Sequence, residues 1–317
     1  MKIVVTDGFT LNPGDLSWES IAALGELTVF ERSDRDQVVE RCRDAQLVLT
    51  NKVVLDRETL QSLPNLRYIG VLATGYNVVD LEAASELGIV VTNIPAYGPA
   101  SVAQFVFSLL LNMVQPVHYY RHQVKQGRWS QSPDFCFYDH SMPELAQLTL
   151  GIIGFGAIGR KVAQIARGFD MPVVVASRSD PGDLPKGVEF VDMDQLLVHS
   201  DVISLHCPLT ETNGGMVDGQ FLKAMKSTAY LINTARGPLI DEFALEKALK
   251  ENRIAGAALD VLSQEPPASG HPLMALENCT VTPHIAWSTQ AARQRLMGIA
   301  ARNIEAFIAT RPINVVN

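Results

Sequence analysis

The sequence predicts an α/β protein of two doubly wound parallel-sheet domains, and three observations carry that prediction. Short β-branched runs alternate with helical patterns along nearly the whole chain, the pattern of parallel strands joined by crossover helices. The chain has 317 residues, 47% of them apolar, which is enough to fill two cores. The stretch LGIIGFGAIGR, residues 150–160, joins an apolar strand to an amphipathic helix through Gly154, Gly156 and Gly159 in GxGxxG spacing.

Residues 1–98 hold the first strand–helix series. Candidate strands are Lys2–Thr6, Leu27–Phe30, Leu47–Thr50, Tyr68–Val71 and Ile89–Val91, with helical patterns at Trp18–Leu24, Arg35–Arg43 and Asp80–Leu87. The opening MKIVVTDGF has an apolar run too short for a signal segment and reads as a first strand. This half lacks GxGxxG, but the loop Ala73-Thr74-Gly75 follows a strand end, where α/β sheets bind ligands. Pro95, Gly98 and Pro99 then break the pattern. The apolar stretch Val102–Val114 predicts a buried helix that bridges the domains. It is shorter than the about 20 residues a bilayer span needs, and Gln104, Ser108 and Asn112 interrupt it. The polar segment Tyr119–Asp139, with mixed charges, reads as a solvated helix end and loop.

The second series starts at Leu148. Its candidate strands are Leu148–Ile153, Val173–Ala176, Val188–Phe190, Val202–Leu205, Tyr230–Asn233, Ala257–Asp260 and Cys279–Val281. A long helical pattern from Ser288 to Ile308 is too long for this domain alone and is expected to return to the first. The expected division is therefore 1–98 with 288–317 as a discontinuous substrate domain, and 99–287 as the dinucleotide-binding domain.

Each glycine of the turn has a function. Gly154 permits the tight turn, Gly156 lets the backbone approach a pyrophosphate, and Gly159 lets helix and strand pack closely. The phosphates would sit on unpaired N–H groups at the helix N-terminus, where the macrodipole favours an anion. In an NAD-specific site an acid ends the next strand and binds the ribose 2′-OH. Here Ser177, Arg178 and Ser179 follow Val173–Ala176, and neither Asp170 nor Asp180 is placed to substitute. A guanidinium and hydroxyls suit a 2′-phosphate, so NADP is expected as the preferred cofactor, with NAD as the other.

Composition excludes several classes. A formal net charge of −8 and the absence of a long basic run argue against nucleic acid as a partner. No stretch is read as a membrane span. Cys42, Cys136, Cys207 and Cys279 form neither a CxxC pair nor a disulfide framework, which fits a cytoplasmic protein. His118 and His122 have i, i+4 spacing but no acidic third ligand nearby, so no metal is expected.

Three titratable or charged residues lie just past strand ends in the second half: Arg236 in INTARGPLID, Glu265 in DVLSQEPP and His284 in VTPHIAWS. Singly, each has a plainer reading, as a surface ion-pair partner, a loop charge or a loop histidine. Together, behind a GxGxxG unit, they suit reduction of a 2-oxo acid. A histidine donates the proton to the developing alkoxide, a neighbouring glutamate favours the imidazolium, and an arginine holds the substrate carboxylate and polarises the carbonyl.

With LGIIGFGAIGR, the CPLT turn at Cys207–Thr210, INTARGPLID, ALDVLSQEPP and TPHIAW in this order, the sequence resembles the D-isomer-specific 2-hydroxyacid dehydrogenases over essentially its whole length. The resemblance implies two Rossmann-like domains with the active site in the cleft between them, a homodimer, and Arg236, Glu265 and His284 as the catalytic set. It implies that amides around Ala73, Thr74 and Gly75 hold the substrate carboxylate together with Arg236 and His284. Cys207 and Pro208 would border the adenine, and Asp260 would contact the nicotinamide carboxamide. The expected cofactor set is completed by Gly154, Phe155, Gly156, Ala157, Ile158, Gly159, Ser177, Arg178, Ser179, Thr234 and Ala235. TNKVVLD, ATGYNVVD and HIAW resemble the glycerate dehydrogenase and hydroxypyruvate reductase branch. D-lactate and phosphoglycerate types are the enzymatic alternatives, although the added regulatory domain of many phosphoglycerate dehydrogenases is not expected here. Nucleotide-sensing corepressors share the resemblance as binding modules.

Overall fold

The computed structural model describes residues 1–180 and 182–317. The chain divides into two compact units, Met1–Gly98 with Ser288–Asn317, and Pro99–Trp287. Among the described residues no single helix is long and apolar enough to cross a membrane.

The first unit holds five parallel strands: β1 (Lys2–Val5), β2 (Glu26–Val29), β3 (Leu47–Thr50), β4 (Tyr68–Val71) and β5 (Val90–Thr92), in the order β2-β1-β3-β4-β5. Every residue of β3 and β4 is buried, which is why both read as mainly apolar runs without polar alternation. β2 lies at the edge and is largely exposed. β5 is displaced by one residue from the sequence expectation because Ile89 closes the preceding helix turn, its N–H bonding Ala84 O at 2.8 Å.

The connecting helices are shorter than their patterns suggest. Trp18–Leu24 contracts to Glu19–Ala22, and Arg35–Arg43 splits into a 3₁₀ turn, Arg35–Gln37, and a helix, Val38–Cys42. The helix Arg57–Gln61 has too few residues to show a period; its Asp56 N-cap, which accepts the Thr59 N–H, is the local signal.

The last helix, Gln290–Ile308, belongs to this unit and begins after its N-cap Thr289. Its buried polar residues find their partners there. Asn303, fully buried, donates to Asn93 O at 2.9 Å and accepts from Asn314 at 2.7 Å. Arg293 donates to Leu11 O at 2.9 Å and to both carboxylate oxygens of Asp15 at 2.7 and 2.6 Å. Phe307 lies against Tyr68 on β4, with ring centroids 4.9 Å apart.

The second unit holds seven parallel strands: β6 (Leu150–Ile153), β7 (Val173–Ala176), β8 (Val188–Phe190), β9 (Val202–Leu205), β10 (Tyr230–Asn233), β11 (Gly256–Leu259) and β12 (Cys279–Val281). Their order is β12-β11-β10-β9-β6-β7-β8, the doubly wound arrangement in which the direction of winding reverses between β6 and β9. Successive strand residues feed opposite cores. Ile152, Val202, Ile232 and Ala258 face Ala103, Val106 and Val162 of the helices Pro99–Val114 and Ala157–Gly168. Ile153, Ile203, Leu231 and Ala257 face Leu196, Phe221 and Leu245 on the other side.

The helix Pro99–Val114, expected as a bridge, lies within this unit and begins with proline at its first position. β6 starts at Leu150 because Leu145–Gln147 forms a 3₁₀ turn. β11 stops at Leu259, so Asp260 falls just beyond the sheet.

The segment Tyr119–Asp139 comprises most of an exposed helix, Val117–Lys125, and a loop with a 3₁₀ turn at Trp129–Gln131. Arg128 pairs with Asp139, which also accepts from Tyr119 at 2.8 Å. The segment is less polar at its surface than its composition suggests, since Phe135 and Tyr138 are 89% and 73% exposed.

Candidate active site

At the end of β6 the chain turns on Gly154, whose φ of +94° favours glycine. A Cβ there would lie 2.5 Å from Cys207 N, so the turn rests directly on the end of β9. At Gly159 a Cβ would lie 2.3 Å from Gly154 O, which closes the helix onto the turn. Gly156 differs: nothing lies within 4 Å of its Cβ position. It is the N-cap of Ala157–Gly168 and supplies no side-chain cap, and the first intrahelical bond runs from Arg160 N–H to Gly156 O. The N–H groups of Ala157, Ile158 and Gly159 precede that first bond and lie at the positive end of a helix, the arrangement that holds a pyrophosphate. Phe155 is buried beside the turn, with Arg160 stacked on its ring at 4.7 Å.

At the end of β7 stand Ser177, half-buried, and Arg178 and Ser179, both exposed. The Ser177 hydroxyl donates to Ser179 O. Arg178 forms no ion pair among the described residues. Asp180 is occupied in the turn, accepting the Gly182 N–H at 2.8 Å. Past β9, Cys207 is half-buried and Pro208 exposed, and Asn213 fixes their turn through Pro208 O and the Thr210 N–H. Burial pushes the Cys207 thiol up and the His206 imidazole down, to about 3, with His206 Nε2 2.8 Å from Ser204 Oγ. Both groups are uncharged at neutral pH.

β10, β11 and β12 are adjacent, and Asn233, Leu259 and Val281 lie at one level across them. Arg236, Glu265 and His284 follow these three strand ends. Buried Asn233 shapes the first loop, accepting the Ala235 N–H at 2.9 Å and donating to Arg236 O at 2.8 Å. The Arg236 side chain is exposed and donates to Ala235 O at 2.6 Å. Thr234 is buried and its hydroxyl has no partner among the described residues, so a polar ligand group at this position would satisfy it.

Glu265 Oε2 lies 2.6 Å from His284 Nδ1, and its Oε1 accepts the Leu262 N–H at 3.2 Å. His284 sits at φ +53°, a conformation uncommon for a residue with a side chain. Its N–H reaches Asp260 O at 2.8 Å, and its own carbonyl accepts from Trp287 Nε1 at 2.9 Å. Asp260 is 1% exposed and organises this loop. Its Oδ1 accepts from the Thr282 hydroxyl and the Ile285 N–H at 2.6 and 2.9 Å, and its Oδ2 from the Ala286 N–H at 2.8 Å. Burial raises its carboxyl above the ordinary aspartate range, against the lowering effect of those donors. One acceptor position on Oδ2 is left for a further donor.

In the first unit, the loop Ala73–Gly75 follows β4. Its carbonyls are tied back, Ala73 O to the Ile94 N–H and Thr74 O to Asn93 Nδ2, while the Thr74 hydroxyl reaches Ile94 O. The N–H groups of Ala73, Thr74 and Gly75 have no acceptor among the described residues, which suits an anion. His118 and His122 share the helix Val117–Lys125, and no group of three metal-ligating side chains occurs among the described residues.

Sequence reasoning did not single out Asn233, Glu242, Thr282 or Trp287. They act through hydrogen bonds to residues distant in sequence or to backbone groups, and no spacing marks them.

Residues 107–286 match the model of the D-isomer specific 2-hydroxyacid dehydrogenase NAD binding domain. The chain is 45% identical, over all of both chains, to a hydroxypyruvate reductase of Blautia hydrogenotrophica. It is 42% identical to a glycerate dehydrogenase of Methylorubrum extorquens, over 89% of this chain and 88% of that one. The crystal structure of the TT0316 protein of Thermus thermophilus superposes over all of both chains with a TM-score of 0.87 at 33% identity. The chain therefore belongs to the D-isomer specific 2-hydroxyacid dehydrogenase family, in the branch of the hydroxypyruvate reductases and glycerate dehydrogenases.

Proposed function

We propose that this enzyme reduces hydroxypyruvate to D-glycerate, and glyoxylate less well, with Arg236, Glu265 and His284 as its catalytic residues. The observation that carries the reading is the 2.6 Å contact of Glu265 with His284 Nδ1, which leaves Nε2 with no acceptor among the described residues. The nicotinamide cofactor, when bound at the glycine turn, supplies the hydride. As the carbonyl carbon accepts it, the carbonyl electron pair moves onto oxygen, and His284 Nε2–H gives that oxygen its proton. Glu265 stabilises the imidazolium beforehand and fixes the ring's orientation. Arg236 pairs with the carboxylate and polarises the carbonyl, and Ala73, Thr74 and Gly75 serve substrate binding through their amides.

On this reading the second unit, 99–287, binds the dinucleotide, and 1–98 with 288–317 serves the substrate. Phe155 and the amides of Ala157, Ile158 and Gly159 surround the pyrophosphate, with Cys207 and Pro208 beside the adenine. Thr234, Ala235 and the remaining acceptor of Asp260 meet the nicotinamide end. NADPH is the preferred cofactor, because Ser177, Arg178 and Ser179 stand where a carboxylate would repel a 2′-phosphate. The protein works as a homodimer, supported by the exposed apolar side chains Val117, Trp129, Phe135 and Tyr138 gathered in one segment. A reducing, cytoplasmic setting suits its cysteines, all four of which are free.

The test is a panel of 2-oxo acids with NADPH and NADH, followed at the nicotinamide absorbance. Hydroxypyruvate is expected to give the highest kcat/KM. A wide preference for phenylpyruvate or 2-oxoisocaproate would overturn the substrate reading.

A further inference from the structure

Glu265 sits in a stretch, residues 261–270, that has neither helix nor strand of its own. A carboxylate that must meet an imidazole to within about 0.5 Å needs a supporting shell. One side chain supplies much of it. Glu242, the first residue of the helix Glu242–Lys250, accepts the Ser263 N–H at Oε1, 2.7 Å away. Its Oε2 lies 3.2 Å from His271 Nε2. Ser263 stands just before Glu265, and His271 just past the far end of the stretch. His271 Nδ1 is buried with no partner, so Glu242 is the only hydrogen-bond partner of that ring among the described residues. The near end is also backed by Gly237, where a Cβ would come within 2.0 Å of the Leu262 carbonyl carbon.

We propose that Glu242 is a positioning residue for the reaction: its carboxylate fastens both ends of the 263–271 loop and thereby holds Glu265 on His284 Nδ1. The proposal rests on the roles given above to Glu265 and His284. A glutamate in the first turn of a helix also favours that helix electrostatically, a role that affects stability alone. The two roles separate experimentally.

Reduction of hydroxypyruvate by NADPH is measured across pH for Glu242→Ala, Glu242→Gln, His271→Ala, Glu265→Gln and the double variant Glu242→Ala with Glu265→Gln. Thermal melting and NADPH affinity are recorded alongside. Glu242→Ala is expected to lower kcat/KM by ~30–100-fold, the scale of a misplaced reacting group, and to move the pH profile in the direction that Glu265→Gln moves it. NADPH affinity should stay within ~2-fold, since the glycine turn is untouched. Glu242→Gln keeps an acceptor for Ser263 and should stay within ~3-fold of the wild type. In the Glu265→Gln background, Glu242→Ala should cost less than ~3-fold more, because both act through one group. Should Glu242→Ala fail to fold, His271→Ala carries the same expectation for the pH profile. A melting change with an unmoved pH profile, or full multiplicative losses in the double variant, overturns the proposal. A Glu265→Gln profile that itself does not move overturns the reading of Glu265; a profile that moves there but in neither Glu242→Ala nor His271→Ala overturns this proposal alone.

Discussion

Glu265 and His284 meet through one oxygen and one ring nitrogen, Oε2 and Nδ1, at 2.6 Å, although they lie 19 positions apart in the chain. Their side chains are 35% and 29% exposed, so the pair is partly withdrawn from water. The shared contact gives the two residues separable effects.

His284→Ala is expected to lower kcat by ~100-fold or more while cofactor affinity changes little, since a proton donor acts in the transition state. Glu265→Gln removes the negative charge that favours the imidazolium. Reduction needs that protonated form, so its activity should fall away at lower pH than in the wild type. Stopped-flow reduction across pH checks both, and near-normal turnover by His284→Ala would refute the assignment.

Cofactor choice is expected to follow the end of β7. The wild type should favour NADPH in kcat/KM. Ser177→Asp places a carboxylate against the 2′-phosphate, and Arg178→Ala removes its cation, so the NADPH-to-NADH ratio should fall in each. Steady-state kinetics with both cofactors decide. An unchanged ratio in Arg178→Ala overturns the prediction.

Asp260→Asn is expected to disturb the His284 loop although Asp260 is 1% exposed. An amide group turns one acceptor into a donor, and it would face the N–H of Ile285 or Ala286, or the Thr282 hydroxyl. Leaving such a donor unsatisfied costs about 1–3 kcal/mol. Melting temperature and kcat should both fall, whereas a purely cofactor-contacting role would show chiefly as weaker NADPH binding.

Phe135→Ser with Tyr138→Ser is expected to shift the molar mass measured by light scattering from a dimer to a monomer. Both side chains are predominantly exposed in the single chain, and a polar replacement removes the apolar area that association would bury. A monomeric wild type would contradict the proposal.

Much of the molecule was legible because buried parallel strands announce themselves. Leu47–Thr50, Tyr68–Val71 and Val202–Leu205 are wholly buried, and each is dominated by apolar or β-branched residues. The glycine turn was legible because Gly154 and Gly159 occupy positions where a Cβ would strike backbone atoms. The helix Arg57–Gln61 was not, since one turn and a little more carries no period. The left-handed backbone at His284 was hidden for another reason. Glycine or asparagine would have signalled it, whereas here it falls on a histidine, next to Ile285 and Ala286, whose N–H groups bond Asp260. Asn233 and Glu242 organise loops by contacts whose partners only the folded chain identifies.

The return of the helix Gln290–Ile308 to the first unit sets a schedule for biosynthesis. On the ribosome, β1 to β5 emerge first, and the whole second unit is made before Phe307 can cover Tyr68 or Asn303 can bond Asn93. At about 5–20 residues per second this leaves a gap on the order of 10–40 s in which a sheet of buried-type strands waits for its last layer. The second unit, continuous in sequence, can complete itself during that interval. A nascent chain halted before residue 288 is thus expected to carry a folded nucleotide-binding half and a sticky, chaperone-dependent first half.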